Sequence, residues 1–179
     1  MVLPDDSFLR EFITPPLPSK RGCAFLGKSN FDKLGAVKSF LAGYGINELG
    51  TNKEIENSFV VHDCRGKAQR VSTIANFVAK YRDAAYVIFD NCEKILKDEQ
   101  VIRLFVNLVD EFEYTGSYSF SNSKGVEETF SSSSFFIFLG KENLLQKETS
   151  YPLSSASQDL MLSFRTYVQC YDFDVNSEV

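Results

Sequence analysis

The feature that most limits the fold is a repeated alternation of short apolar runs with stretches of helical periodicity. The runs are Gly22–Gly27 (GCAFLG), Ser58–His62 (SFVVH), Ala85–Phe89 and Phe135–Leu139 (FFIFL), and the alternating Thr166–Phe173 (TYVQCYDF) ends the series. A strand with one wet face alternates apolar and polar residues, whereas a strand that is apolar throughout must be covered on both faces. Between the runs, Phe31, Leu34, Val37, Leu41 and Tyr44 recur at steps of three and four, and Gly43 and Gly45 supply stop signals. Val71, Ile74, Ala75 and Val78 mark a second helix. Val101, Phe105, Leu108 and Phe112, with Ile102 and Val109 beside them, mark the clearest one. Ser155–Phe164 reads as a short helix. Strands alternating with helices predict an α/β fold: a three-layer sandwich with a mainly parallel five-stranded sheet.

At 179 residues the chain suits one such domain. Pro15, Pro16 and Pro18 force an extended path, so residues 1–21 read as an extended N-terminal leader and 22–179 as a single domain. Thr115–Ser134 is rich in Ser, Gly and Asn and reads as a loop or a flexible hairpin. The formal net charge of −5 argues against whole-chain attraction to nucleic acid or an anionic membrane, although local basic groups could still bind phosphates. No apolar run approaches the roughly 20 residues of a membrane span. The four cysteines, Cys23, Cys64, Cys92 and Cys170, are widely spaced without a CxxC pair. That spacing argues against structural zinc and suits reduced thiols in an intracellular, cytoplasmic setting.

In parallel α/β sheets ligands bind at the carboxyl ends of the strands, so the residues after each strand carry the chemistry. Gly22–Ser29 (GCAFLGKS) matches the phosphate-binding pattern G-x-x-x-x-G-K-[ST], in which Lys28 would meet phosphate and Ser29 magnesium. If CAFL is instead the first strand, the loop is Gly27–Leu34 (GKSNFDKL). Lys33 then takes the phosphate position at the start of the helix, with Asp32 and Leu34 in place of the usual glycine and hydroxyl. Both registers remain open at the level of sequence. Tyr86–Glu93 (YVIFDNCE) ends a strand in Asp90, which could orient a magnesium ion or simply cap a turn. Asn91 follows, and an amide holds a water but cannot take its proton. His62, the single histidine, lies near Cys64, but neighbouring strand positions face opposite sides, and no nucleophile pair is expected. Arg65, Lys67 and Arg70 form one basic group, and Lys20, Arg21, Lys28 and Lys33 form another. They could bind phosphates if they share one sheet edge.

From Phe59 to Asp174 the chain resembles the AAA+ ATPase core, a P-loop NTPase fold, and especially its divergent viral and phage members. YVIFDNCEKILKDEQVIRLFVNLVDEFE resembles the Walker B strand and the following helix, and FFIFL resembles the sensor strand. DLMLSFRTYVQCYDF resembles the last helix, its arginine and the last strand. The resemblance implies ATP and magnesium held by Gly27, Lys28, Ser29 or Lys33 together with Asp90. It also implies an Arg165 that reaches a neighbouring subunit's nucleotide. The sensor position falls on Gly140, with Asn143 three residues later. The helical lid that follows in the family is not expected here, since the sequence ends soon after the fifth strand.

Asp32, Leu34, Asn91 and Gly140 each depart from the ATPase pattern. The expectation is a degenerate, catalytically silent module with no cofactor. It would serve as a scaffold or regulatory subunit, with a protein partner such as an active ATPase or a second copy of itself. The alternatives are a working ATPase using Lys28 and Ser29, or Lys33, with Asp90 and magnesium, for which Asp90, Asn91 and Arg165 are the catalytic candidates, and a plain interaction domain.

Overall fold

The computed structural model describes residues 7–13, 21–28, 31–50, 54–66, 70–111, 115–142 and 155–173. Among the described residues, eight strands and five α-helices follow in the order α1 (Ser7–Ile13), β1 (Gly22–Leu26), α2 (Lys33–Gly43), β2 (Asn47–Glu48), β3 (Ser58–Asp63), α3 (Val71–Lys80), β4 (Tyr86–Asp90), α4 (Glu99–Val109), β5 (Tyr118–Ser121), β6 (Glu127–Phe130), β7 (Phe135–Leu139), α5 (Ser155–Tyr167) and β8 (Val168–Asp172). Six strands form one sheet in the order β2-β3-β4-β7-β1-β8, and every pairing in it is parallel. The expected α/β class with a mainly parallel sheet is therefore present.

Burial on both faces explains the continuous apolar strands. Along β4, Tyr86 and Ile88 face one core while Val87 and Phe89 face the other. Along β7, Ile137 and Leu139 face the first core while Phe136 and Phe138 face the second. Helices α1 and α2 cover the first face through Leu9, Phe12, Ile13, Val37 and Leu41. Helices α3, α4 and α5 cover the second through Ile74, Val78, Phe105 and Phe164 among others. An aromatic column runs through that second core. Phe89 stacks on Phe138 with ring centres 5.4 Å apart, and Phe138 meets Phe105 and Phe164 edge-on at 4.9 and 5.2 Å. Offset and edge-on contacts suit the ring quadrupoles, which accounts for the phenylalanine-rich strands.

Two sequence expectations are corrected, and one left open is decided. The stretch assigned to an extended leader contains α1, whose Leu9, Phe12 and Ile13 are buried. The Tyr86 hydroxyl donates to the Ile13 carbonyl at 3.2 Å. The prolines behind the extended reading lie outside the described residues. The sheet has six strands, because Asn47–Glu48 pairs with Ser58–Phe59 as a two-residue edge strand too short and too polar to announce itself. Within 115–134, β5 and β6 form an antiparallel hairpin anchored by buried Phe120 and Phe130. Of the two readings of that segment, the hairpin is the one present.

β7 lies between β1 and β4, so its carboxyl end stands between theirs. Gly140 N–H donates to the Phe25 carbonyl at 3.1 Å, and Cys64 N–H donates to the Asp90 carbonyl at 2.9 Å. These bonds tie the strand ends into one continuous rim.

Candidate functional site

The rim encloses a cleft of about 810 Å³. Lys28, Phe31, Asp32, Lys33 and Leu34 line it from the β1–α2 loop, Arg65 from beyond β3, Asp90 and Asn91 from β4, and Leu139, Gly140 and Lys141 from β7. CAFL lies within strand β1, so Gly27–Asp32 connects β1 to α2, and Lys33 is the first residue of α2. Gly27 turns the chain at φ 96°, a conformation open to glycine at little cost. Ser29 lies outside the described residues.

Lys33 is committed to backbone. Its ammonium donates to the Gly27 carbonyl and, at 3.0 Å, to the Gly140 carbonyl, and it lies 5.0 Å from the centre of the Phe173 ring. Asp32 occupies the N-cap position of α2 without a side-chain capping bond. A Cβ placed on Gly35 would come within 2.7 Å of the Asp32 Oδ2. The chain thus sets its own carboxylate beside the helix N-terminus, where the dipole favours an anion.

On the opposite wall, Asn91 takes a left-handed backbone (φ 57°, ψ 45°), which asparagine tolerates better than most residues. Its Nδ2 donates to the Asp63 Oδ1 at 3.0 Å, and its N–H donates to the Asp90 Oδ1 at 3.0 Å. Asp63 also receives the Arg65 guanidinium at 2.9 and 3.2 Å, and this pairing holds its carboxyl well below the ordinary range. Asp90 shifts the other way. Burial raises its carboxyl, and the nearby Asp63 and Asp32 carboxylates add to the rise against the Asn91 N–H and Arg65.

Glu93, in a 3₁₀ turn at Cys92–Lys94, is 7% exposed, and its Oε2 accepts the Lys141 N–H at 3.2 Å. A Cβ on Gly140 would meet that same oxygen at 2.6 Å. Residue 140 has room for a glycine alone because a glutamate from the neighbouring turn fills the space beside it. In the sequence Glu93 is only the end of the segment Tyr86–Glu93. Its contact with Gly140 becomes visible once β7 is known to lie beside β4.

Among the candidate residues, Gly27, Lys28, Lys33, Asp90 and Asn91 come together at this rim. Arg165 does not. It is exposed on α5, three residues before Val168, which pairs with Gly22 at the opposite, amino edge of the sheet. Arg21 is also at that edge, bonded to Glu111 and to the Ser132 carbonyl. The basic group of Lys20, Arg21, Lys28 and Lys33 is therefore divided, with Lys28 and Lys33 at the cleft and Arg21 away from it. Lys20, Lys67 and Asn143 lie outside the described residues. The His62 ring packs at 4.7 Å on Phe77, while the Cys64 thiol donates to the His62 backbone carbonyl. Burial pushes that thiol up to about 12, so no nucleophile pair is assembled.

Among the described residues no group of three or more His, Cys, Asp or Glu is arranged to hold a metal ion. Asp63 is engaged by Arg65 and Asn91, and Leu34 supplies no oxygen, so these donors do not fit a magnesium site around Asp90. No helix among the described residues is long and apolar enough to cross a membrane. No known protein family, curated protein or solved structure matches the chain.

Proposed function

We propose that the chain is a degenerate AAA+-like P-loop module that is catalytically silent and works by binding, as a scaffold or regulatory subunit of an intracellular assembly. The observation that carries this reading is the engagement of Lys33 by the Gly27 and Gly140 carbonyls. A phosphate-binding lysine must be able to turn to its ligand, and this one is already satisfied by backbone. Asn91 and Asp63 support the same reading, since their polar atoms bond each other where an ATPase would position water. The place of β7 between β1 and β4 supports the family resemblance, because a sensor strand has to end between the phosphate loop and the Walker B acid. The partner proposed is an active ATPase subunit or a second copy of this chain. Arg165 on the amino edge and the basic groups at the strand ends are the contact candidates.

One observation favours a second reading, a nucleotide-binding protein. The cleft has room for a nucleotide, and Lys28, Arg65 and Lys141 line it. Titrating the full chain with labelled ATP and magnesium decides between the two, repeated with Lys28→Ala, Lys33→Ala and Asp90→Ala. No binding at millimolar ATP is expected. Tight binding that is lost in either lysine variant overturns the silent module.

A further inference from the structure

We infer that Glu93 and Lys33 form an ion pair relayed through a single peptide group, the one joining Gly140 to Lys141, and that this relay holds the Lys33 ammonium against the backbone wall of the cleft. The two bonds involved belong to one planar unit. The Lys141 N–H donates to the Glu93 carboxylate at 3.2 Å, and the Gly140 carbonyl accepts the Lys33 ammonium at 3.0 Å. In a trans peptide the N–H and C=O point in opposite directions, so an anion on one side and a cation on the other both align with the peptide dipole. A carboxylate on the N–H polarises the group and makes its carbonyl a stronger acceptor.

The same contact explains one departure from the ATPase pattern, the glycine at 140. Glu93 packs so closely on residue 140 that any side chain there would meet its carboxylate at 2.6 Å, the Cys92 sulfur at 3.1 Å and Leu26 at 3.2 Å. Glycine at 140 is the condition for the relay. Glu93 is thus a positioning residue, acting on Lys33 through the backbone. A consequence follows for the cleft: an anion that recruits Lys33 must draw it away from Gly140 and so loosen Glu93. Occupancy of the cleft and the turn after β4 are coupled. The relay depends on contacts among these residues and not on the silent-module proposal.

The test needs no ligand. The full-length chain, Glu93→Gln and Glu93→Ala are treated with trace acetic anhydride, and acylation is quantified at each lysine by mass spectrometry. Weakening the Gly140 carbonyl as an acceptor, by a fraction of one charge-assisted bond, predicts that Lys33 reacts roughly threefold to tenfold faster in Glu93→Ala. Glu93→Gln, which keeps an acceptor for the Lys141 N–H and the shape of the side chain, is expected to fall between. Lys28 serves as the internal reference and is expected to change less than about twofold, since it is not on the relay. An unchanged Lys33 rate in both variants overturns the inference. So does a rise at Lys33 matched at Lys28, which would mean general loosening of the rim. If Glu93→Ala does not fold, the near-isosteric Glu93→Gln carries the comparison. Wild-type ATP affinity does not enter, so failure here is distinct from failure of the proposed function.

Discussion

Replacing Gly140 by alanine tests the packing of the rim directly. The added Cβ would sit 2.6 Å from the Glu93 Oε2, a distance that real Cβ atoms do not tolerate, and 3.1 and 3.2 Å from Cys92 and Leu26. The carboxylate is the movable member, so Glu93 must swing away and give up the Lys141 N–H. That bond is charge-assisted but long, at 3.2 Å, which places its loss near the lower end of the range, about 1.5 kcal/mol. The two tighter contacts add up to about 1 kcal/mol of overpacking. Gly140→Ala should therefore cost about 2 kcal/mol, or roughly 4–8 °C in Tm for a chain of this size. A double-mutant cycle with Glu93→Ala isolates the mechanism. Without the carboxylate the alanine meets only Cys92 and Leu26, and its cost should fall to about 1 kcal/mol or less. Urea unfolding followed by circular dichroism measures all four corners. If Gly140→Ala costs the same with and without Glu93, the close approach of the carboxylate is not the reason for the glycine.

Other expectations follow from the same contacts. Asp90→Asn should raise Tm at pH 7. A carboxyl whose folded pKa lies above its unfolded value binds more protons in the native state, so its ionisation costs stability above that window, and the gain should vanish near pH 3. Asp63→Asn should show the opposite sign. Its carboxyl is depressed by Arg65, so it contributes stability above about pH 4 that is lost as the pH falls, and the variant should be less stable at pH 7 and closer to wild type in acid. Tyr86→Phe removes the hydroxyl that donates to the Ile13 carbonyl. Faster amide exchange in α1 and a loss of about 1 kcal/mol are expected; unchanged exchange there would mean that the bond does not anchor the helix. Phe138→Ala opens the centre of the aromatic column and should cost about 3–5 kcal/mol by urea unfolding, while Phe138→Leu should cost less than half of that.

What the sequence discloses divides along a physical line. Strands buried on both faces leave an apolar run in the sequence, so β1, β3, β4 and β7 are legible, as is the alternating β8. Periodicity discloses α2, α3 and α4 for a similar reason. Residues that owe their structure to a distant partner leave no such trace. α1 is a short helix held by Tyr86 from the middle of the chain. β2 exists because β3 offers it a ladder. The serine-rich stretch before β7 looks like flexible loop. Yet Ser134 is fully buried and its hydroxyl donates to the Ala84 carbonyl at 2.6 Å, closing the amino edge. The same division holds at the site. Gly27, Lys33, Asp90 and Asn91 are local to strand ends and can be found from sequence. Glu93 acquires meaning only from Gly140, and those two meet because β7 is inserted beside β4.

The place of β1 between β7 and β8 has a consequence for how the chain reaches this state. Both neighbours of β1 are the last strands of the sheet to be made: Gly22 pairs with Phe136 on one side and Val168 on the other. During synthesis β3 and β4 can pair soon after they emerge, but β1 must wait with both edges open until nearly the whole domain has been translated. Closing such long loops slows folding, and an apolar strand with unpaired edges is the kind of segment that captures other chains. The hazard of this fold therefore lies in time, in the interval before β7 and β8 arrive, and any factor that shields Gly22–Leu26 during that interval would raise the yield of native protein without touching its final stability.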